Sequence, residues 1–286
     1  MTELTEGTHV RTTTLEGHVA LVTGAGRGIG RAHALLMAER GARVVVSDIG
    51  VGLDGIGRDS SVAEGVADEI VQAGGHAVAD TNDISSFEGA AAAVQTAVRA
   101  FGKVDIVVNN AGLAGGSAIA DISEEQLGRA LALHLYGPIG TAKAAWPMMR
   151  SQGWGRIINT VSEEAFPVSA DEDRGGLGLT YGPAKAAIWS ATRGLAAEGR
   201  TCGVTVNAIS PGAFTRMNAE LFENAPTDLD LDPVHVARVA AWLASDDASD
   251  VTGRVVHVAG IHRREYLMRR HADTDLIRRI NAALAE

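Results

Sequence analysis

Short aliphatic runs, many of them valine-rich, alternate with segments whose apolar positions recur every three or four residues, almost to the end of the chain. His18 to Thr23 predicts a first strand, and Ile29 to Arg40 the helix after it, stopped by Gly41. Arg43 to Ser47 predicts a second strand; Val62, Val66, Ile70 and Ala73 mark a helix face ended by Gly74 and Gly75. His76 to Ala79 predicts a third strand, and Phe87, Ala91, Val94 and Val98 a helix up to Gly102. Val104 to Val108 is mostly apolar, as strands buried on both faces are. Ser123-Glu124-Glu125-Gln126 has the form of a capping box and opens a long helix toward Met149. Arg156 to Thr160, Val204 to Ile209 and Val255 to Val258 predict three more strands. Helices separate them over Tyr181 to Arg200 and through Leu243, with Pro233 suited to a first turn. Strands alternating with helices predict a parallel sheet covered on both faces, because right-handed crossovers place the helices there. The expected fold class is α/β: one doubly wound domain of about seven parallel strands over 15–260. An N-terminal arm (1–14) precedes it and an extension (261–286) follows.

Composition narrows the function classes. The chain has 286 residues, 46% hydrophobic and 21% charged, which is globular. A formal charge of -10 disfavours a nucleic-acid surface, since phosphates would be repelled. The single cysteine, Cys202, allows no disulfide within the chain and no thiolate metal cluster, and no metal site is expected. No apolar run is long enough to span a bilayer, and Met1 to Thr14 lacks the apolar core of a signal peptide, so the expected location is cytoplasmic.

Candidate chemistry begins at Thr23-Gly24-Ala25-Gly26-Arg27-Gly28-Ile29-Gly30, between the first strand and the first helix. Glycines there let the backbone turn tightly and approach a pyrophosphate at the positive helix end, as in a Rossmann-type nucleotide site. Asp48, ending the second strand, suits the adenosine ribose hydroxyls and repels a 2′-phosphate, which favours NAD over NADP. Arg27 is a counter-signal, because a guanidinium in this loop could pair with that phosphate. Farther on, Tyr181 and Lys185 are four residues apart and share a helix face. An ammonium beside a phenol favours the phenolate and predicts a Tyr181 pKa lowered from about 10 toward neutrality, fit for a general base.

Asn109-Asn110-Ala111-Gly112 after the fourth strand, Ser162 after the fifth and Pro211-Gly212-Ala213-Phe214-Thr215 after the sixth complete an ordered set. With the glycine turn and the Tyr/Lys helix, the chain resembles the short-chain dehydrogenase/reductase family from about Leu15 to Gly260. The longer loop Ser47 to Gly57, His134-Leu135-Tyr136-Gly137 and Ile157 to Glu164 resemble more closely the dehydrogenase unit of peroxisomal multifunctional β-oxidation enzymes. The resemblance implies that Tyr181 exchanges the alcohol proton, that Lys185 holds the nicotinamide ribose, and that Ser162 hydrogen-bonds the substrate oxygen. It implies a cofactor site at Gly24, Arg27, Gly28, Ile29, Gly30, Asp48, Asp83, Ile84, Asn110, Ala111, Gly112, Tyr181, Lys185, Pro211, Gly212 and Thr215. It also implies a homodimer or homotetramer.

Several features depart from the family pattern. His134 stands where many members have a helix-kinking asparagine that holds a relay water; it reads either as a relay imidazole or as a packed core histidine. The segment between Ser162 and Tyr181 is long and acidic, with Glu163, Glu164, Asp171, Glu172 and Asp173, an awkward rim for an anionic CoA thioester. Thr215 to Asp232, where members build a lid, is short and acidic. Past Gly260, Leu276, Ile277, Ile280 and Leu284 predict an amphipathic helix among arginines, suited to a neighbouring subunit or to a CoA phosphate. The expected activity is NAD-dependent interconversion of a secondary alcohol and its ketone, on a hydroxysteroid or a 3-hydroxyacyl-CoA. The alternatives are a smaller cyclic or terpenoid alcohol, a cofactor-bound regulator without turnover, and a lyase or epimerase that borrows the hydride.

Overall fold

The computed structural model describes residues 13–52, 55–113, 115–116, 118–165, 178–216 and 230–267. The predicted arm to residue 12, the acidic segment 166–177, most of the lid and the tail stripe lie outside these residues.

The chain runs β1 (Val19–Thr23), α1 (Gly28–Glu39), β2 (Arg43–Ser47), α2 (Ser61–Gln72), β3 (His76–Asp80), α3 (Phe87–Phe101) and β4 (Ile106–Asn109). After β4 come α4 (Glu124–Leu131), a π-helical turn (Ala132–Tyr136), α5 (Gly137–Gln152) and β5 (Gly155–Thr160). The last elements are α6 (Gly178–Gly199), β6 (Val204–Gly212), α7 (Val234–Leu243), β7 (Val255–Ala259) and β8 (His262–Glu265). The strands form an eight-stranded sheet ordered β3-β2-β1-β4-β5-β6-β7-β8. The first seven are parallel, as expected; β8 pairs antiparallel with β7, with Ala259 opposite His262. This eighth strand falls in the segment read as an extension. Its residues are polar and exposed, so it carries no apolar run to announce it.

Strand alternation divides the core. Ala20, Val22, Val44, Val46 and Val108 face one layer with α1, α2 and α7. Val19, Leu21, Val45, Val107 and Val206 face the other with α3, α5 and α6. The strand order reverses between β1 and β4, and a crevice at their carboxyl ends is where open α/β sheets bind ligands.

Two boundaries bear on the site. The long helix predicted from Ser123 keeps its capping box but is interrupted by the π-turn. Pro138 has no N–H to give the His134 carbonyl, and the Gly137 N–H reaches back five residues to the Ala132 carbonyl. Helix α6 begins at Gly178, earlier than the predicted Tyr181, and carries Pro183 within it. Among the described residues no helix is long and apolar enough to cross a membrane.

Candidate active site

Buried amides hold β4 and β5 in register below the site. Asn109 Nδ2 donates to Asn159 Oδ1 at 2.9 Å, Thr141 Oγ1 to Asn109 Oδ1 at 2.7 Å, and Asn159 Nδ2 to Thr192 Oγ1 at 2.9 Å. Above them Ser162 leaves β5 in a short 3-10 turn, its Oγ accepting from the Glu164 N–H at 3.2 Å. Gly182 lets α6 approach this turn, since a Cβ there would lie 2.8 Å from the Glu164 carbonyl oxygen.

Helix α6 brings Tyr181 into a side-chain hydrogen bond with Ser162. One turn on, Lys185 Nζ lies 5.4 Å from the Tyr181 ring centroid and donates to the Thr160 carbonyl at 2.8 Å. The π-turn sets His134 edge-on to Tyr181, with ring centroids 5.2 Å apart at 87°. His134 Nε2 lies 3.1 Å from the Leu113 carbonyl oxygen and 3.5 Å from the Leu113 amide nitrogen; the shorter contact assigns the proton to Nε2. Nδ1 is then a buried lone pair with no partner among the described residues. The four residues predicted for chemistry therefore meet in one place.

Their electrostatics correct one expectation. Burial pushes the Tyr181 phenol up to about 12, and the Glu164 charge adds to this against the Ser162 hydrogen bond. Burial pulls the Lys185 ammonium down to about 7. Spacing alone predicted a phenol lowered toward neutrality. Desolvation reverses that, because it favours the neutral form of both partners. His134 is pulled down to about 3 by burial and the Lys185 charge, against its hydrogen bond to Leu113, so the imidazole is neutral at ordinary pH.

On the nucleotide side, glycines are required by close approach. A Cβ on Gly30 would lie 2.0 Å from the Gly24 carbonyl oxygen, and one on Gly24 (φ +63°) 2.7 Å from Ala111 Cα. Thr23 Oγ1 accepts from the N–H groups of Asn110 and Ala111 at 3.1 and 3.2 Å. Asn110 Nδ2 donates back to the Thr23 and Gly24 carbonyls at 3.1 and 3.2 Å. Asp48 accepts from Gly26 N at 2.9 Å and Gly50 N at 2.8 Å. Thr215 lies over Gly28, where a Cβ would come 3.5 Å from Thr215 Cγ2. Pro211 and Gly212 end β6 against β7, and a Cβ on Gly112 would lie 2.8 Å from His134 Cε1.

Some predicted cofactor residues face the protein. The Ile84 side chain is buried in the α3–α5 core, and Ile29 packs on the α1 core. Asp83 Oδ1 accepts from Ser85 N at 3.0 Å, and Oδ2 lies 3.7 Å from Arg58. Sequence reasoning missed the Leu113 partner of His134, the Thr160 acceptor of Lys185 and Arg216 beside Thr215; the first two act through backbone and leave no trace in residue type. It also missed that Tyr266 donates to Glu163, next to Ser162, and ties the β7–β8 hairpin to the site.

An α/β cradle of this shape, a glycine turn at a helix N-terminus with a carboxylate at the end of β2, fits a dinucleotide. Comparison with known proteins agrees. The family model described as Enoyl-(Acyl carrier protein) reductase matches residues 24–261. The chain is 37% identical over 254 residues to a Peroxisomal multifunctional enzyme type 2 of Drosophila melanogaster, covering 89% of this chain and 41% of that protein. The chain thus spans less than half the length of that relative. Among solved structures, a short chain dehydrogenase from Mycobacterium avium superposes with TM-score 0.80 at 40% identity, covering 95% of this chain and 96% of that one. A 7α-hydroxysteroid dehydrogenase complexed with NADH and 7-oxo glycochenodeoxycholic acid superposes with TM-score 0.75 at 32% identity, covering 87% and 95%.

Proposed function

The chain belongs to the short-chain dehydrogenase/reductase family of oxidoreductases, and we propose that it interconverts a secondary alcohol and its ketone with NAD. The observation that carries this reading is the meeting of Ser162, Tyr181, Lys185 and His134 beside the glycine cradle. When bound, the dinucleotide supplies the hydride carrier and, oxidised, a positive charge. Ser162 and the Tyr181 phenol hydrogen-bond the substrate oxygen, and Tyr181 takes the alcohol proton during oxidation or returns it during reduction. Lys185 opposes the phenolate charge as it forms and would hold the nicotinamide ribose hydroxyls. The His134 Nδ1 lone pair accepts from a water that passes the proton outward, a role suited to a neutral imidazole. Gly24, Gly28 and Gly30 would admit the pyrophosphate, and Asp48, at the end of β2, would accept from the adenosine ribose hydroxyls, which supports NAD over NADP.

We assign the substrate to the hydroxysteroids or 3-hydroxyacyl-CoA thioesters. The name of the NADH-bound structure supports the hydroxysteroid arm of that range, and the thioester arm rests on the resemblance in the loop after β2 and around His134 and Ser162. Assembly as a homodimer or homotetramer and a cytoplasmic location belong to the same proposal, and light scattering of the purified chain checks the assembly. The deciding experiment follows NADH formation across a steroid alcohol, a 3-hydroxyacyl-CoA and a small cyclic alcohol. Turnover on one of them, lost in Tyr181→Phe, supports the reading. Tight NAD binding without turnover on any alcohol overturns it in favour of a non-catalytic regulator.

A further inference from the structure

Two arginines converge on one neutral acceptor at the mouth of the nucleotide groove. Arg27, in the glycine turn, donates from Nη1 to the Val51 carbonyl at 3.1 Å. Arg216, delivered by the loop after β6, donates from Nη2 to the same carbonyl at 3.2 Å. Partial burial and then the Arg27 charge lower the Arg216 pKa, and the Asp48 charge opposes them. Asp48 offsets the pair only in part, because both of its oxygens already accept backbone N–H groups, from Gly26 and Gly50, and Asp59, which also feels the Arg27 charge, is fully exposed and bonded to Ser61. A carbonyl carries no net charge to balance two guanidiniums, whereas phosphate oxygens accept guanidinium N–H groups in charge-assisted bonds.

The path of the chain says which phosphate. Thr215, the residue before Arg216, lies over Gly28, the first residue of α1. The free N–H groups and positive dipole end of α1 point there, where a pyrophosphate seats. Arg216 thus hangs over that position while its head group reaches across to the β2 side.

We propose that Arg216 is a strap for the dinucleotide pyrophosphate: on binding, its guanidinium leaves the Val51 carbonyl for a phosphate oxygen and draws the 213–216 segment over the groove. This role rests on the dinucleotide reading above. The side chain is exposed, so its replacement leaves the core intact.

The test measures dissociation constants of NADH, NADPH and adenosine by calorimetry at several salt concentrations, for the wild-type chain, Arg216→Gln and Arg216→Lys. Arg216→Gln is expected to weaken NADH and NADPH alike by about tenfold, the loss of one charge-assisted hydrogen bond, and to flatten the salt dependence. Arg216→Lys keeps the charge and recovers most of that dependence; adenosine, which has no phosphate, binds all three proteins equally. NADH affinity within about twofold of wild type in Arg216→Gln overturns the strap. So does an equal loss for adenosine, which would make Arg216 a brace for the Val51 loop. A loss confined to NADPH overturns it too, by moving the guanidinium to a 2′-phosphate. A wild-type chain that binds none of the three sinks the dinucleotide reading itself, a result distinct from binding that survives in Arg216→Gln.

Discussion

At the glycine turn the protein satisfies its own polar groups, whereas around the Tyr181 ring it buries several with little compensation. Thr23, Asn110 and Asp48 spend their side chains on backbone groups of the glycine turn and its neighbours. Lys185, by contrast, is fully enclosed with one carbonyl acceptor, the Tyr181 phenol lies beside the Glu164 charge, and His134 keeps a nitrogen without a partner among the described residues. The first region is a finished shape for a ligand to enter. The second holds groups whose charged forms are disfavoured until a ligand changes their surroundings, an arrangement that marks sites of chemistry. The nucleotide half should therefore break by steric intrusion and the catalytic half by loss of a single polar atom.

The largest expected effect is on the catalytic side. Tyr181→Phe removes one oxygen and should lower turnover by about a thousandfold, the scale of general acid–base catalysis, with NADH affinity and melting temperature preserved. Steady-state kinetics beside a binding isotherm check this, and a parallel loss of NADH affinity would blur the contrast between the halves.

Gly30→Ala tests the other half. Its Cβ would lie 2.0 Å from the Gly24 carbonyl oxygen, so the turn must open. We expect a stability loss of about 2 kcal/mol or more and an NADH site that is no longer formed, read by denaturant melts and calorimetry.

Acid should act through buried imidazoles, one in each half. Burial lowers His33 in α1 to about 4, and burial with the Lys185 charge lowers His134 to about 3, from an ordinary 6.5. Below pH 6.5 the unfolded chain protonates both rings while the folded chain does not, so the unfolded state binds more protons and stability falls as pH falls. Each ring contributes about 1.4 kcal/mol per pH unit until its folded-state pKa is reached. His134→Asn should remove one of these slopes, and urea midpoints from pH 7 to 4 measure it.

The smallest expected effect is at the hairpin. Tyr266→Phe deletes the hydrogen bond to Glu163 and should cost about 1 kcal/mol, with a modest rise in KM and little change in kcat. A large fall in kcat would mean that the hairpin sets the position of Ser162.

Much of this molecule can be read in the sequence. The valine-rich strands, the Ser123 capping box and the glycine turn announce themselves because each depends on residue type at fixed spacing. The meeting of Ser162, Tyr181 and Lys185 follows from strand order and helix register. Strand β8 does not announce itself, since an exposed edge strand of polar residues has no apolar period. The Tyr181 pKa escapes because it depends on burial, and spacing reports a neighbour's charge without the solvent that both groups lose. The π-turn follows from Pro138, a clue that is present in the sequence but becomes decisive only once the helix on either side of it is known.

Without a nucleotide, the protein keeps the Tyr181 phenol neutral. Of the three tyrosines, Tyr181 can be followed by NMR of ring-labelled protein, assigned with Tyr181→Phe and titrated with and without NAD. Tyr181 in the free protein is expected to stay protonated beyond the ordinary value of about 10, and NAD to bring its titration down toward working pH. A Tyr181 that titrates near neutrality without the nucleotide, or that NAD leaves unmoved in a protein that turns over, would contradict this.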